Sequence, residues 1–155
     1  MADFEPIAHY VPHAGSMCLL DRLVDAGEDW LHAELTIAPD HLFLDSAGAG
    51  SGVGAWVGIE YMAQAVAAWA GVQARRRGEA PKIGFLLGSR RYACTRASFA
   101  LGETLRVEVR RVFEADNGMS QFDCALNIGD EAVATAQLTV FGPEDPQAFI
   151  QSKTS

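Results

Sequence analysis

A chain of 155 residues, 49% hydrophobic and 21% charged, is long enough for one domain with a sizeable core and has the composition of a soluble globular protein. Its formal net charge of -8 argues against a nucleic-acid binder, and no run is long and apolar enough for a convincing membrane span. Cys18, Cys94 and Cys124 are widely spaced, with no CxxC pair or Cys/His cluster, so reduced structural thiols are expected rather than a metal site, and with no secretory leader pattern the expected location is the cytoplasm.

Residues 1–16 contain Pro6, Pro12 and Gly15 and read as irregular. Met17 to Val24 is an apolar run of strand length. Trp30 to Ala38 alternates, with Leu31, Ala33, Leu35 and Ile37 on one face and His32, Glu34 and Thr36 on the other. The two runs predict an antiparallel pair turning at Ala26-Gly27-Glu28-Asp29, and Pro39 stops the second. Residues 39–54 (PDHLFLDSAGAGSGVG) read as a Gly/Ser/Ala-rich loop, and a loop this long inside a compact domain is usually functional or disordered. It opens onto a helix N-terminus, whose exposed N–H groups and dipole suit an oxyanion. It has neither the lysine of a Walker loop nor the GxGxxG order, so nucleotide binding is not indicated.

The stretch from Gly54 to Ala70 reads as a long helix that is apolar on nearly every face, and such helices are buried. Its many alanines give good helix propensity and a slim cylinder around which a sheet can close. Into this cylinder the sequence places one carboxylate, Glu60, and one amide, Gln64, a turn apart on the same face. An ionised carboxylate buried without partners is costly, so either a partner or a retained proton is expected, and both suit a group that handles protons. The alternative is a carboxylate that simply favours the positive end of the helix dipole.

Beyond Gly78 and Pro81, Lys82 to Gly88 (KIGFLLG) reads as a strand with an irregular continuation. Thr104 to Glu114, Met119 to Ile128 and Glu131 to Phe141 follow as strands, with turn chemistry at Asp116-Asn117-Gly118 and Gly129-Asp130. Two strands, one buried helix and four strands predict an α+β fold, an antiparallel sheet curled around a single central helix. The domain is expected over 1–146, with a tail over 147–155. Arg75, Arg76, Arg77, Lys82, Arg90, Arg91 and Arg96 make a cationic zone after the helix that suggests an anionic partner, although Arg75 to Arg77 also complement the helix dipole.

This arrangement resembles the hotdog fold, and its motifs are similar to those of the 3-hydroxyacyl-ACP dehydratases. The similarity rests on Pro12-His13 with MCLLDR (17–22), on GIEYMAQ (58–64), and on GFLLG (84–88) followed by Arg90-Arg91-Tyr92. The subgroup tied to aryl-polyene biosynthesis is more similar still, through PHAGSMCLLDR, AWVGIEYMAQ, FLLGSRRY, DNGM and AQLTVF. The resemblance implies removal of water from a 3-hydroxyacyl thioester to give a trans-2-enoyl product, with no metal or organic cofactor. It implies that Glu60 is catalytic, as acid or hydroxyl-orienting group. Ala55 at the helix start would donate its N–H to the thioester carbonyl, and Gln64 would orient Glu60 or line the pocket, or simply bond a backbone group. Typical members carry the catalytic histidine in a G-H-F-P-G-x-P segment before the helix, where this chain has PDHLFLD. His13 and His41 are both candidates for the base, since histidine titrates near neutrality. Tyr61 and Tyr92 read as packing or gate residues, and Trp56 and Trp69 as core or interface.

The resemblance further implies an acyl carrier protein as partner, with the cationic zone as its docking surface. It also implies a homodimer or a dimer with another hotdog subunit, in which residues of both chains form the site. No nucleic-acid or membrane partner is expected. Two alternatives keep the fold and change the role: an acyl thioesterase, or a non-catalytic acyl-binding or partner subunit.

Overall fold

A computed structural model describes residues 18–45, 52–79 and 85–142. His13 and the irregular N-terminus, the middle of the glycine-rich loop, Lys82 and the start of its strand, and the tail over 147–155 lie outside the described residues.

The elements follow in the order β1 (Arg22–Ala26), β2 (Trp30–Thr36), β3 (Leu44–Asp45), β4 (Gly52–Gly54), a 3-10 turn (Ala55–Val57), α1 (Gly58–Arg76), β5 (Phe85–Cys94), β6 (Ser98–Ala100), β7 (Thr104–Glu114), β8 (Met119–Ile128) and β9 (Glu131–Phe141). Six strands form an antiparallel sheet in the order β1-β2-β7-β8-β9-β5, and β3, β4 and β6 form a second, three-stranded sheet. The large sheet packs on the 3-10 turn and α1 together, which is the expected hotdog architecture. Strand alternation builds the core: Leu31, Val109, Cys124 and Ala136 lie opposite one another on four neighbouring strands, and all are buried. From the helix, Tyr61, Met62, Ala65 and Ala68 meet them with no exposed surface. Each large apolar side chain buried this way contributes about 1.5–3 kcal/mol.

Three expectations are corrected. The apolar run Met17 to Val24 is not one strand, because β1 begins only at Arg22. Leu19 and Leu20 are buried, and the Leu19 N–H turns to the helix instead of a neighbouring strand. The second sheet was not foreseen. Its strands are two or three residues long, too short for a periodic signal, and are held by pairing of Val53 with Leu44 and Phe99. The helix is also less uniformly buried than its composition suggests, with Ile59, Ala63, Ala67 and Ala70 only partly covered.

The C-terminal half of α1 is tied to the β1–β2 turn. Trp69 Nε1 donates to the Glu28 carbonyl at 3.1 Å, and Gln73 Nε2 donates to the Gly27 carbonyl at 2.9 Å. Trp69 also packs on Phe122, with ring centroids 5.3 Å apart, and lies under the Arg111 guanidinium. It is a core residue, as expected. Trp56, by contrast, is 66% exposed.

Candidate functional site

The N-terminal end of α1 gathers most of the chemistry-bearing side chains. Glu60 sits in the first turn, where the helix dipole favours an anion. Gln64 is one turn on, only 1% exposed, and its Nε2 donates to Glu60 Oε1 at 3.1 Å. Its Oε1 accepts the Leu19 N–H at 2.8 Å. That second bond fixes the amide's orientation: with the oxygen turned to a backbone donor, the NH2 group must face the carboxylate. Gln64 therefore bonds a backbone group and a Glu60 carboxyl oxygen at once.

His41 is anchored at each of its hydrogen-bonding groups. Its N–H donates to the Ala38 carbonyl and its carbonyl accepts the Leu44 N–H, both at 3.1 Å. Its Nδ1 accepts the Phe43 N–H at 3.0 Å, and its Nε2 lies 2.8 Å from the Tyr61 hydroxyl. A nitrogen that accepts carries no proton, so the neutral ring bears its hydrogen on Nε2 and donates it to Tyr61. Burial lowers the His41 pKa, opposed by the charges of Asp21 and Asp40. Burial likewise raises that of Tyr61, helped by Tyr92 and Asp21. Successive helical residues point about 100° apart, so the face that engages His41 through Tyr61 is not the face that carries Glu60.

Around this pair stand aromatic rings. Phe43 packs edge-on against the exposed Trp56 at 5.5 Å between centroids, and Phe99 from the small sheet lies 6.2 Å from Tyr61. The backbone of Ala55 is engaged on both sides. Its N–H donates to the Ala97 carbonyl at 3.1 Å, and its carbonyl accepts from the Tyr92 hydroxyl. The Ala55 N–H, expected to receive a thioester oxygen, is thus bonded to the Ala97 carbonyl in this structure. Nothing in the sequence marked Tyr92 as the partner of the helix start, although Gly58, at a position where alanine is the better helix former, was a usable hint of close approach.

The cationic zone is smaller than its sequence suggested. Arg76 donates to the carbonyls of Gly27 and Ala26, Arg77 pairs with Glu79, and Arg96 pairs with Glu103 at 2.5 Å. Arg90 and Arg91 remain exposed on β5, with no ion pair among the described residues. A groove of about 470 Å3 lined by Trp30, His32, Glu108, Arg110, Asp123 and Gln137 lies on the outer face of the large sheet and shares no residue with the Glu60 site. Among the described residues no group of three metal-ligating side chains converges, and no helix is long and apolar enough to cross a membrane.

With this geometry in view, the comparisons with known proteins are specific. The family profile described as "ApeP-like: ApeP dehydratase" matches residues 5–151. A chain of the solved dehydratase heterocomplex ApeI:P from Xenorhabdus doucetiae is 25% identical and superposes with a TM-score of 0.89, covering 99% of this chain and 100% of that one. The smu.793 protein of Streptococcus mutans, solved with acetyl CoA, is 16% identical with a TM-score of 0.61, over 80% of this chain and 90% of that one. The PaaI protein of the E. coli phenylacetic acid degradation operon is 12% identical with a TM-score of 0.60, over 77% and 81%. The last two show the fold alone. No curated protein sequence matches the chain.

Proposed function

The chain belongs to the ApeP-like dehydratase family of aryl-polyene biosynthesis, and from that premise we propose that it acts in the dehydration of 3-hydroxyacyl thioesters, borne on an acyl carrier protein, to trans-2-enoyl thioesters. The observation that carries this reading is the Leu19–Gln64–Glu60 relay, which holds one carboxyl group at the start of a buried helix with a fixed amide beside it. A base removes the C2 proton, the electron pair closes the C2–C3 double bond, and the C3 oxygen leaves as water on taking the carboxyl proton of Glu60. Gln64 restricts the carboxyl to one orientation, which favours proton delivery to one position of the acyl chain. His41, with both ring nitrogens already bonded, serves as the clasp of its loop, and we assign the base to His13.

The family relative solved as a heterocomplex supports a partner subunit of the same fold for this chain. β5 is the outermost strand on its side of the sheet and exposes Leu86 and Leu87 at 45% and 51%. Among the described residues no strand pairs with that edge, and an unpaired edge with apolar side chains is a template for a partner strand. Arg90 and Arg91 on the same strand are the candidates for carrier-protein contact, an attraction that weakens with salt.

A second reading has a specific observation behind it. The engagement of both His41 nitrogens favours a chain that completes a partner's site without turning over substrate itself. One experiment separates the readings. The assembled protein is given a 3-hydroxyacyl thioester, and enoyl absorbance and free thiol are followed separately. Enoyl formation without thiol that is lost on Glu60→Gln in this chain supports the dehydratase, and thiol without enoyl means a thioesterase. Enoyl formation that survives that substitution, or binding without either product, supports the partner subunit.

A further inference from the structure

Three features of the helix start converge on the hydroxyl of Tyr92. First, the start has no side-chain cap. Neither Gly54, before the 3-10 turn, nor Val57, before α1, makes a side-chain capping bond. The turn is held instead by the segment that follows the helix, through Tyr92 to the Ala55 carbonyl and through the Ala97 carbonyl to the Ala55 N–H. Second, a Cβ at Gly58 would collide with the Tyr92 hydroxyl and stand 2.9 Å from Leu126 Cδ1. The first residue of α1 is glycine where the phenol passes. Third, Arg91 has φ +57°, the one non-glycine with positive φ among the described residues, and the β5–β9 register shifts between Arg90 and Ala93. A bulge of this kind re-aims the side chain beside it, and Tyr92 turns inward while Arg90, Arg91 and Ala93 stay exposed. A left-handed arginine is unfavourable by itself and persists only where its surroundings over-determine it.

We propose that Tyr92 is a positioning residue whose hydroxyl fixes the Ala55–Val57 turn and thereby sets where the Glu60 carboxyl stands. The proposal rests on the reading of Glu60 as proton donor given above. Glu60 lies two residues beyond Gly58 on one rigid helix, so a shift of the turn moves the carboxyl by a similar amount. Displacements of about 1 Å at a reacting group cost on the order of 100-fold in rate.

The test uses the full chain, purified in its native assembly, with a 3-hydroxybutyryl N-acetylcysteamine thioester as substrate. Tyr92→Phe is expected to fold, to keep KM within about twofold, to lose roughly 10- to 100-fold in kcat, and to shift the pH–rate profile. Gly58→Ala is expected to destabilise the protein. In the double variant Gly58→Ala/Tyr92→Phe the hydroxyl no longer blocks the methyl group and the Leu126 side chain still has to shift, so stability recovers in part while kcat stays as low as in Tyr92→Phe. Amide exchange in residues 55–61 reads the turn directly and is expected to quicken in Tyr92→Phe, with β7–β9 unchanged. Unaltered kcat, pH profile and exchange in Tyr92→Phe, alongside loss of turnover in Glu60→Gln, would overturn the positioning role and leave Glu60 intact as donor. Full turnover by Glu60→Gln would overturn the donor reading, and the positioning role with it.

Discussion

The imidazole of His41, on the loop after β2, reaches the hydroxyl of the fully buried Tyr61 on α1 at 2.8 Å, while its other ring nitrogen accepts the Phe43 N–H. One side chain thus closes its own loop and pins that loop to the helix. Because Leu44 pairs with Val53, and Phe43 packs on Trp56, the pin also positions the small sheet and the aromatic cluster at the helix start.

Removing the hydroxyl alone should loosen that pin. Tyr61→Phe keeps the ring in the core and deletes one buried hydrogen bond, which costs about 1 kcal/mol. Urea denaturation should show that loss with an unchanged m-value. Equal stability of the two proteins would mean that the contact contributes nothing.

The same pin makes stability sensitive to mild acid. Burial lowers the pKa of His41 in the folded state from its ordinary 6.5, so the folded protein favours the neutral ring. The unfolded chain protonates first as pH falls. The contribution is therefore complete above about pH 6.5 and is lost as pH drops from there through the lower folded value. A protonated Nδ1 also cannot accept the Phe43 N–H. The thermal midpoint of the wild type should fall across this window more steeply than that of His41→Gln, and parallel curves would contradict the assignment.

Gln64 is expected to be intolerant in both directions. Gln64→Leu leaves the buried Leu19 N–H without its acceptor, which costs about 1–3 kcal/mol and removes a donor from Glu60. Gln64→Glu keeps an acceptor for Leu19 but replaces the NH2 group that donates to Glu60 by a second acid oxygen at a contact now 3.1 Å long, which is destabilising. Thermal melts of the two variants at pH 7 would test this, and wild-type midpoints for both would refute the relay.

In the small sheet, a Cβ at Gly52 would stand 2.8 Å from the Phe99 carbonyl oxygen, which belongs to the β4–β6 ladder. Gly52→Ala should force the two strands apart and cost about 1–3 kcal/mol, measurable by calorimetry. Unchanged stability would show that this pairing tolerates displacement.

The large sheet was legible because its later strands are long and regular. Thr104 to Glu114, Met119 to Ile128 and Glu131 to Phe141 were read with the bounds the structure gives them, since period-two alternation over ten residues leaves little ambiguity. Glu60 and Gln64 were legible as a pair because helical spacing alone places them together. What escaped was set by contacts distant in sequence. Leu19 meets Gln64 across 45 positions, and Tyr92 meets Ala55 across 37. His41 was legible as a candidate but not as a clasp, since nothing in PDHLFLD says that the Phe43 N–H will occupy its ring. The Arg75–Arg96 zone was legible as charge but not as pairing, since charge can be counted in a sequence and pairing with Glu79, with Glu103 or with the turn carbonyls cannot.

The central claim is that Glu60 of this subunit delivers the proton that leaves as water. Its most direct test is single-turnover enoyl formation by the assembled complex carrying Glu60→Gln in this chain alone, every other subunit being wild type. Glutamine keeps the size and the hydrogen-bonding reach but has no acidic proton, so enoyl formation should fall by at least about 100-fold while substrate binding is retained. Wild-type enoyl formation by that complex would contradict the claim and place the chemistry in the partner subunit.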